Sequence, residues 1–168
     1  KYIAFILILL CMVVTVSSTF AADNETLAAV DDGDVLTEDY YFDASVENDT
    51  GNGTIDNPYK QLTTARIKEN SNIYLNEGEY ELNDYKRIYN VNIIGKNPET
   101  TIIKNLDFEV TFSNSFTLHN VTLVKCRITN HGDFNASNTI FIGSSSSNGG
   151  GLYSDENANL DNCTFANN

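Results

Sequence analysis

From Asn72 onward, apolar residues come in short alternating runs, each closed by Asn, Gly, Asp or Ser. The runs are "NIYL", "VNII", "TIIK", "FEVTF", "FTL", "VTLV", "TIFI" and "CTF". Alternation with period two sends successive side chains to opposite faces, so each run predicts a short strand with one buried side. Hairpin dipeptides do not recur at fixed offsets between the runs, which argues against a meander of antiparallel hairpins. A repeat accounts for the pattern better. "SFTLHNVTLV" from Ser115, "DFNASNTIFI" from Asp133 and "NANLDNCTFA" from Asn157 align as strand, Asn, strand.

The shared asparagines are Asn120, Asn138 and Asn162, and the longer of the two intervals contains "SSSSNGGG", read as a loop extruded from one coil. Units of this length, holding two or three short strands, predict an all-β parallel β-helix in which each coil buries its apolar side chains against the next. Coils stack about 4.8 Å apart, so like residues form ladders. Asn120, Asn138 and Asn162 are expected to form a structural ladder at a sharp bend, each amide bonding to the next. Leu118, Ala136, Leu160 and Phe165 should point inward, with Leu123 and either Ile140 or Phe141. A β-sandwich of about seven strands is the alternative fold.

Before the coils, "YKQLTTARIKENS" places Leu62, Ala65, Ile67 and Lys68 at roughly helical spacing. It predicts one short N-terminal capping helix over the first coil, whose backbone edge would otherwise stand unpaired. The turn-rich segment from Glu47 to Tyr59 precedes it. Residues 1–21 read as a signal peptide: Lys1, an apolar run from Tyr2 to Val16, then Thr19-Phe20-Ala21 as a cleavage site. That run is shorter than a membrane span needs. Residues 22–39 read as an acidic flexible leader and 40–168 as the β-helix domain. The chain starts without Met and stops in mid-repeat, so it is expected to be an N-terminal fragment, truncated at the far end of the helix.

Charge narrows the partners. The net charge is -13, and Asp23 to Asp56 carries eleven acidic residues and no basic one. A nucleic-acid partner needs a basic face, so none is expected. Membrane attachment is expected only through an unseen C-terminal anchor. Cys126 and Cys163 fall at different phases of the repeat and read as small buried side chains, not a disulfide.

"GTIDNPYKQLTTA", "NIYLNEGEYEL" and "VNIIGKNPETTII" resemble the opening of right-handed parallel β-helix proteins of the pectin-lyase-like superfamily. Gly149-Gly150-Gly151-Leu152 and Phe165-Ala166-Asn167-Asn168 resemble the repeats of polymorphic outer-membrane proteins, with Gly151 where that repeat prefers Ala. The two features together resemble the adhesin-like surface proteins of methanogenic archaea. This resemblance implies a right-handed single-stranded parallel β-helix, exported to the cell surface or beyond, that presents a repetitive polar surface to glycans or to another cell. It implies no cofactor.

The resemblance also implies that an enzyme on this fold would cut polysaccharides, and the residues lack that chemistry. Asp107, Glu109, Asp133 and Asp161 are widely spaced and share no phase. Lys125 and Arg127 read as solvated charges. "NHG" at Asn130–Gly132 and "RIK" at Arg66–Lys68 stand in reversed order for the hydrolase pattern and lack its paired carboxylates. No catalytic or metal residue is therefore expected. His119 and His131 read as polar positions at coil corners. The loop carrying Asp43, Glu47, Asp49, Asn52 and Asp56 lacks calcium-loop spacing and reads as a solvated turn. Among the Asn-x-Ser/Thr sequons, Asn48 and Asn52 are the expected glycosylation acceptors, since Asn120 and Asn162 occupy ladder positions. Two other readings remain: the N-terminal part of a carbohydrate-active enzyme (lyase or glycoside hydrolase) with its catalytic coils missing, and a ligand-free structural stalk.

Overall fold

A computed structural model describes residues 37–168. The expected signal peptide, 1–21, lies outside the described residues, as does most of the expected leader, 22–39. The first strand, β1 (Glu38–Phe42), takes in Glu38 and Asp39, so regular structure starts just ahead of the expected boundary at 40. The coils follow in order. The first holds β2 (Ser71–Leu75), β3 (Gly78–Glu81) and β4 (Tyr85–Ile88), and the second β5 (Val91–Gly95), β6 (Thr101–Lys104) and β7 (Asp107–Val110). The third holds β8 (Ser115–His119), β9 (Thr122–Val124) and β10 (Arg127–Asn130). The fourth holds β11 (Asp133–Ser137), β12 (Ile140–Ile142) and β13 (Leu152–Ser154), and β14 (Ala158–Asp161) and β15 (Thr164–Ala166) begin another.

Strands at the same place in successive coils pair in parallel. Sheet I runs β1-β2-β5-β8-β11-β14, sheet II runs β3-β6-β9-β12-β15, and sheet III runs β4-β7-β10-β13. The chain is thus an all-β parallel β-solenoid of about four turns with three parallel sheets. Hydrogen-bonded or paired side chains on adjacent coils lie 20, 25, 18 and 24 residues apart along the chain. The surplus of the fourth coil over the third falls in the Ser144–Gly151 segment between β12 and β13, as the "SSSSNGGG" insertion predicts.

Corners follow one local rule. A residue with positive φ turns the chain, and the next residue points into the core. Between sheets I and II the turning residues are Asn120, Asn138 and Asn162 (φ 55, 48 and 48°). They are followed by buried Val121, buried Thr139 and half-buried Cys163. Between sheets II and III they are Asn105, Lys125 and Gly143 (φ 56, 53 and 68°), followed by buried Leu106, Cys126 and Ser144. The left-handed conformation is costly for most L-residues and cheapest for Gly and Asn, which explains the choice of Asn at four of these six corners. Polar residues that enter the core are satisfied there: Thr139 Oγ1 donates to Ser137 O at 2.9 Å and Ser144 Oγ to Cys126 O at 2.5 Å. Gly95 has a different cause, because a Cβ there would stand 2.2 Å from Asn120 O on the next coil.

Ladders of inward side chains fill the interior. Val91, Phe116 and Phe134 stack in register, as do Ile73, Ile93, Leu118, Ala136 and Leu160. Ring centroids of Phe108 and Phe116 lie 5.1 Å apart, and those of Phe116 and Phe134 5.9 Å apart. Each fully buried aliphatic or aromatic side chain contributes about 1.5–3 kcal/mol of transfer free energy. Ile140 points outward and Phe141 inward, which resolves the alternative left open by the sequence. Leu160 and Phe165 hold the expected ladder positions but remain 44% exposed, because they belong to the last described strands.

The capping helix is not there: the described residues contain no helix. Residues 59–70 instead make a single turn, in which Arg66 N–H and Ile67 N–H both donate to Thr63 O. Leu62 and Ile67 are buried as the cap's apolar contribution, while Ala65 and Lys68 are exposed. Positions five apart diverge by about 140° on a regular helix, so a helix could not have buried both on one face. Two consecutive β-branched residues, Thr63 and Thr64, and the cost of nucleating so short a helix also oppose it. The strap Gly53–Tyr59 completes the cap along β1: Tyr41 N–H donates to Gly53 O at 2.8 Å and Tyr59 N–H to Tyr41 O at 3.0 Å.

Candidate binding face

Because the interior is packed, the chemistry-bearing side chains lie outside, and sheet I presents them in the most regular array. Its parallel register aligns two outward columns. The first is Asp39, Asn72, Asn92, Thr117, Asn135 and Asn159. Asn72 Nδ2 donates to Asp39 Oδ1 at 2.8 Å, Asn92 Nδ2 to Asn72 Oδ1 at 2.8 Å, and Asn159 Nδ2 to Asn135 Oδ1 at 3.0 Å. A primary amide has two N–H donors and two acceptor lone pairs. Each bond uses one donor and one acceptor, so Asp39–Asn72–Asn92 and Asn135–Asn159 are tied as two runs on either side of Thr117 while keeping hydrogen-bonding capacity.

The second column is Tyr41, Tyr74, Ile94, His119, Ser137 and Asp161. Tyr41 and Tyr74 stack with centroids 4.9 Å apart. Partial burial, then the Asp39 carboxylate and Tyr41, raise the Tyr74 phenol above its ordinary value. His119 Nδ1 and Ser137 Oγ are 2.6 Å apart, within the reach of a nucleophile and its base. Asp161 is in register beside Ser137 on the side away from His119, so it cannot orient the imidazole as the acid of a triad does. The pair therefore acts as another hydrogen-bonded rung.

The other residues singled out in the sequence disperse over the molecule. Asn162 Nδ2 donates to Asn138 Oδ1 at 2.7 Å, while Asn120 is tied through its backbone N–H to Ser137 O at 3.2 Å. Asn48 and Asn52 are exposed, and Asn52 Oδ1 accepts from Thr54 N–H at 3.2 Å and from Thr54 Oγ1 at 2.9 Å. In the acidic loop, Asp49 accepts from Lys60 N–H and from Arg66 Nη1 (2.9 Å and 2.8 Å). Partial burial opposes ionisation of Asp49, but the Arg66 guanidinium and the Lys60 and Gln61 amides win and hold its carboxyl below the ordinary value. Arg66 also lies 4.1 Å over the Tyr59 ring. Asp49 is thus committed to protein donors and not spare for calcium.

Three relationships escape a linear reading because they join neighbouring coils. Arg127 is not a free surface charge: its Nε donates to Asp107 Oδ1 at 3.0 Å. His131 meets Asp155 at 2.8 Å and stacks on Phe112 at 5.5 Å. Asn130 of the "NHG" stretch is buried and staples the corner, donating to Gly132 O at 3.0 Å and Ser154 Oγ at 2.8 Å. The signal for all three is the coil-to-coil offset, which the sequence shows clearly only where the Asn120-type repeat occurs. Cys126 is buried and its thiol is pushed up to about 11 by desolvation, and Cys163 is also free, so neither forms a disulfide. Compared with known proteins, the chain matches no family model, no curated protein and no solved structure at a significant level.

Proposed function

We propose that the chain is an adhesive module of an exported, cell-surface protein, and that the outer face of sheet I binds glycans or the surface of another cell. The observation that carries this reading is the pair of outward columns on sheet I, in which Asn, Thr, Ser, His and Tyr side chains repeat at the coil spacing on a rigid support. Polyhydroxylated ligands are bound by such mixed donors and acceptors, and a fixed array spends little ordering entropy on contact. The resemblance to adhesin-like β-helix proteins and the signal-like residues 1–21 support export and adhesion. The coiling is right-handed in this reading, as parallel β crossovers almost always are. The acidic surface, with a net charge of -13, keeps neighbouring rods apart.

The test is an array of neutral and acidic glycans probed with the full chain, beside the same chain carrying Asn92→Ala, Asn135→Ala and Asn159→Ala. Binding that the triple variant weakens at least about tenfold (1.4 kcal/mol) supports the reading. Absence of binding to any glycan or cell overturns it in favour of a ligand-free stalk. Release of unsaturated or reducing-end sugar products from a polysaccharide overturns it in favour of an enzyme.

A further inference from the structure

At its β1 end, sheet I turns from a flat face into a recess of about 320 Å³. Tyr74 forms one wall. Its ring is stacked against Tyr41 on one side, and on the other side the register places Ile94, whose shorter side chain does not span the ring, so the outer part of the half-buried ring borders the recess. Ile55, 69% exposed at the tip of the 53–59 strap, and Pro58 add apolar surface opposite.

The far end of the recess is polar. Asn76 Nδ2 donates to Asp43 Oδ2 at 2.8 Å, and Ser45 holds the other carboxylate oxygen through its N–H at 2.8 Å. Asn76 O in turn accepts from the buried Tyr80 hydroxyl at 2.9 Å, which anchors this segment to the core. Lys96 lines the same end and, among the described residues, makes no salt bridge. The outer part of one ring, an aliphatic floor, an amide and carboxylate held by hydrogen bonds, and the exposed Lys96 ammonium at one end form an amphipathic site.

We propose that this recess binds one or two neutral pyranose units of a glycan, with the apolar face of a sugar ring on Tyr74 and its hydroxyls on Asp43, Asn76 and Lys96. The inference rests on the adhesive reading of sheet I and names its anchoring subsite. The recess lies at the small end of the range for ligand sites, about 300–1,000 Å³, so it holds a short piece of a chain and the Asn column meets the rest. A purely apolar ligand would strip water from Asp43 and Lys96 without replacing their hydrogen bonds. A polyanionic sugar would meet the Asp43 carboxylate and a chain of net charge -13. A proline-rich peptide needs a groove between aromatic ridges, whereas Tyr41 and Tyr74 are stacked face to face and make one wall.

The chain contains no Trp, so emission comes from its nine tyrosines, Tyr41 and Tyr74 of the recess among them, and affinity is read from the midpoint of the titration. The full chain is titrated with cellotriose, mannotriose, chitotriose, digalacturonate and a proline decapeptide. The expected result is saturable quenching by at least one neutral trisaccharide, weaker by at least about tenfold in Tyr74→Ala. Tyr74→Phe should retain most of the binding, and an unchanged far-ultraviolet spectrum excludes misfolding. Preference for digalacturonate or for the peptide overturns the proposal. If the glycan array is positive and the Asn92/Asn135/Asn159 variant loses binding while Tyr74→Ala does not, the subsite falls and the adhesive face stands. If no sugar binds in either assay, both fall.

Discussion

At the β1 end of the solenoid, the backbone of the edge strand is bonded by the Gly53–Tyr59 strap, and Leu62 and Ile67 close the core beneath it. At the β14–β15 end, Leu160 and Phe165 occupy the same interior ladders as buried Ala136 and Phe141, yet each keeps nearly half its surface. The contrast shows what a coil contributes in this fold. Identical inward side chains are worth different amounts according to whether a neighbour lies on both sides, as expected when stability is a sum of nearest-neighbour interfaces. The ring of Phe165 stacks on Phe141 at 4.4 Å, so even the exposed end adds one interface.

The strongest test of this comparison sets Phe116 against Phe165. Phe116 lies between Val91 and Phe134 and touches Phe108, so Phe116→Ala should cost about 3–5 kcal/mol in urea unfolding. Phe165→Ala should cost about 1 kcal/mol, with one interface and half the burial. Equal losses would mean that the ends and the middle are not energetically distinct.

In a polypeptide that stops at residue 168, the last strands should also govern association. Paired parallel strands with exposed Leu160 and Phe165 offer an unpaired edge to another chain. A polypeptide of residues 37–168 should sediment as concentration-dependent oligomers, and Leu160→Lys with Phe165→Lys should return it to monomer. A monomer before substitution would show that the exposed ladder is harmless.

At the covered end, acid is the sharper probe. Asp49 has a folded-state pKa below its ordinary value of 3.8, because Arg66 and two backbone amides favour its ionised form over the opposing burial. A depressed pKa gives stability that is present above the unfolded value and lost as pH falls through the folded one. Cap protection should therefore be full at neutral pH and fade below about pH 4. Hydrogen-exchange protection factors at Lys60 and Gln61, taken relative to intrinsic exchange at each pH, should fall on acidification before those of the β8 amides do. Asp49→Asn should loosen the cap at pH 7 and differ little from the parent at pH 2.

The legibility of the sequence followed the same division. The third and fourth coils were readable because Asn120, Asn138 and Asn162 recur between alternating strands, and that repeat implied the ladders of Leu118 and Leu123 and the loop at Ser144–Gly151. The first two coils carry no such marker: their offsets of 20 and 25 residues come from unrelated turns, so the Asn72–Asn92 and Tyr41–Tyr74 rungs went unseen. The cap misled because apolar spacing at 62, 65 and 67 suits a helix, whereas burial selected 62 and 67 through a bend. Cross-coil pairs such as Arg127–Asp107 and His119–Ser137 depend on register, which no local pattern encodes.

The finest test concerns the corner asparagines. Asn138 lies between two coils: its N–H donates to Asp161 O at 3.1 Å and its Oδ1 accepts from Asn162 at 2.7 Å. Asn162 repeats the same φ of 48° but at the last described corner. Replacing either by Ala forces a Cβ-bearing residue without a helpful amide into the left-handed region, at about 1–2 kcal/mol. Either substitution removes the same exposed Asn162–Asn138 bond, so the two differ by place: Asn138 turns a corner with a coil on both sides, and its strand also accepts from Asn120 N–H through Ser137 O. Asn138→Ala should therefore lower the urea midpoint more than Asn162→Ala, by a few tenths to about 1 kcal/mol. Asn138→Gly, which restores the backbone conformation alone, separates the two causes. If it recovers the whole loss, the corner needs only the left-handed turn; if part of the loss persists, the amide-to-amide bond itself helps hold one coil on the next.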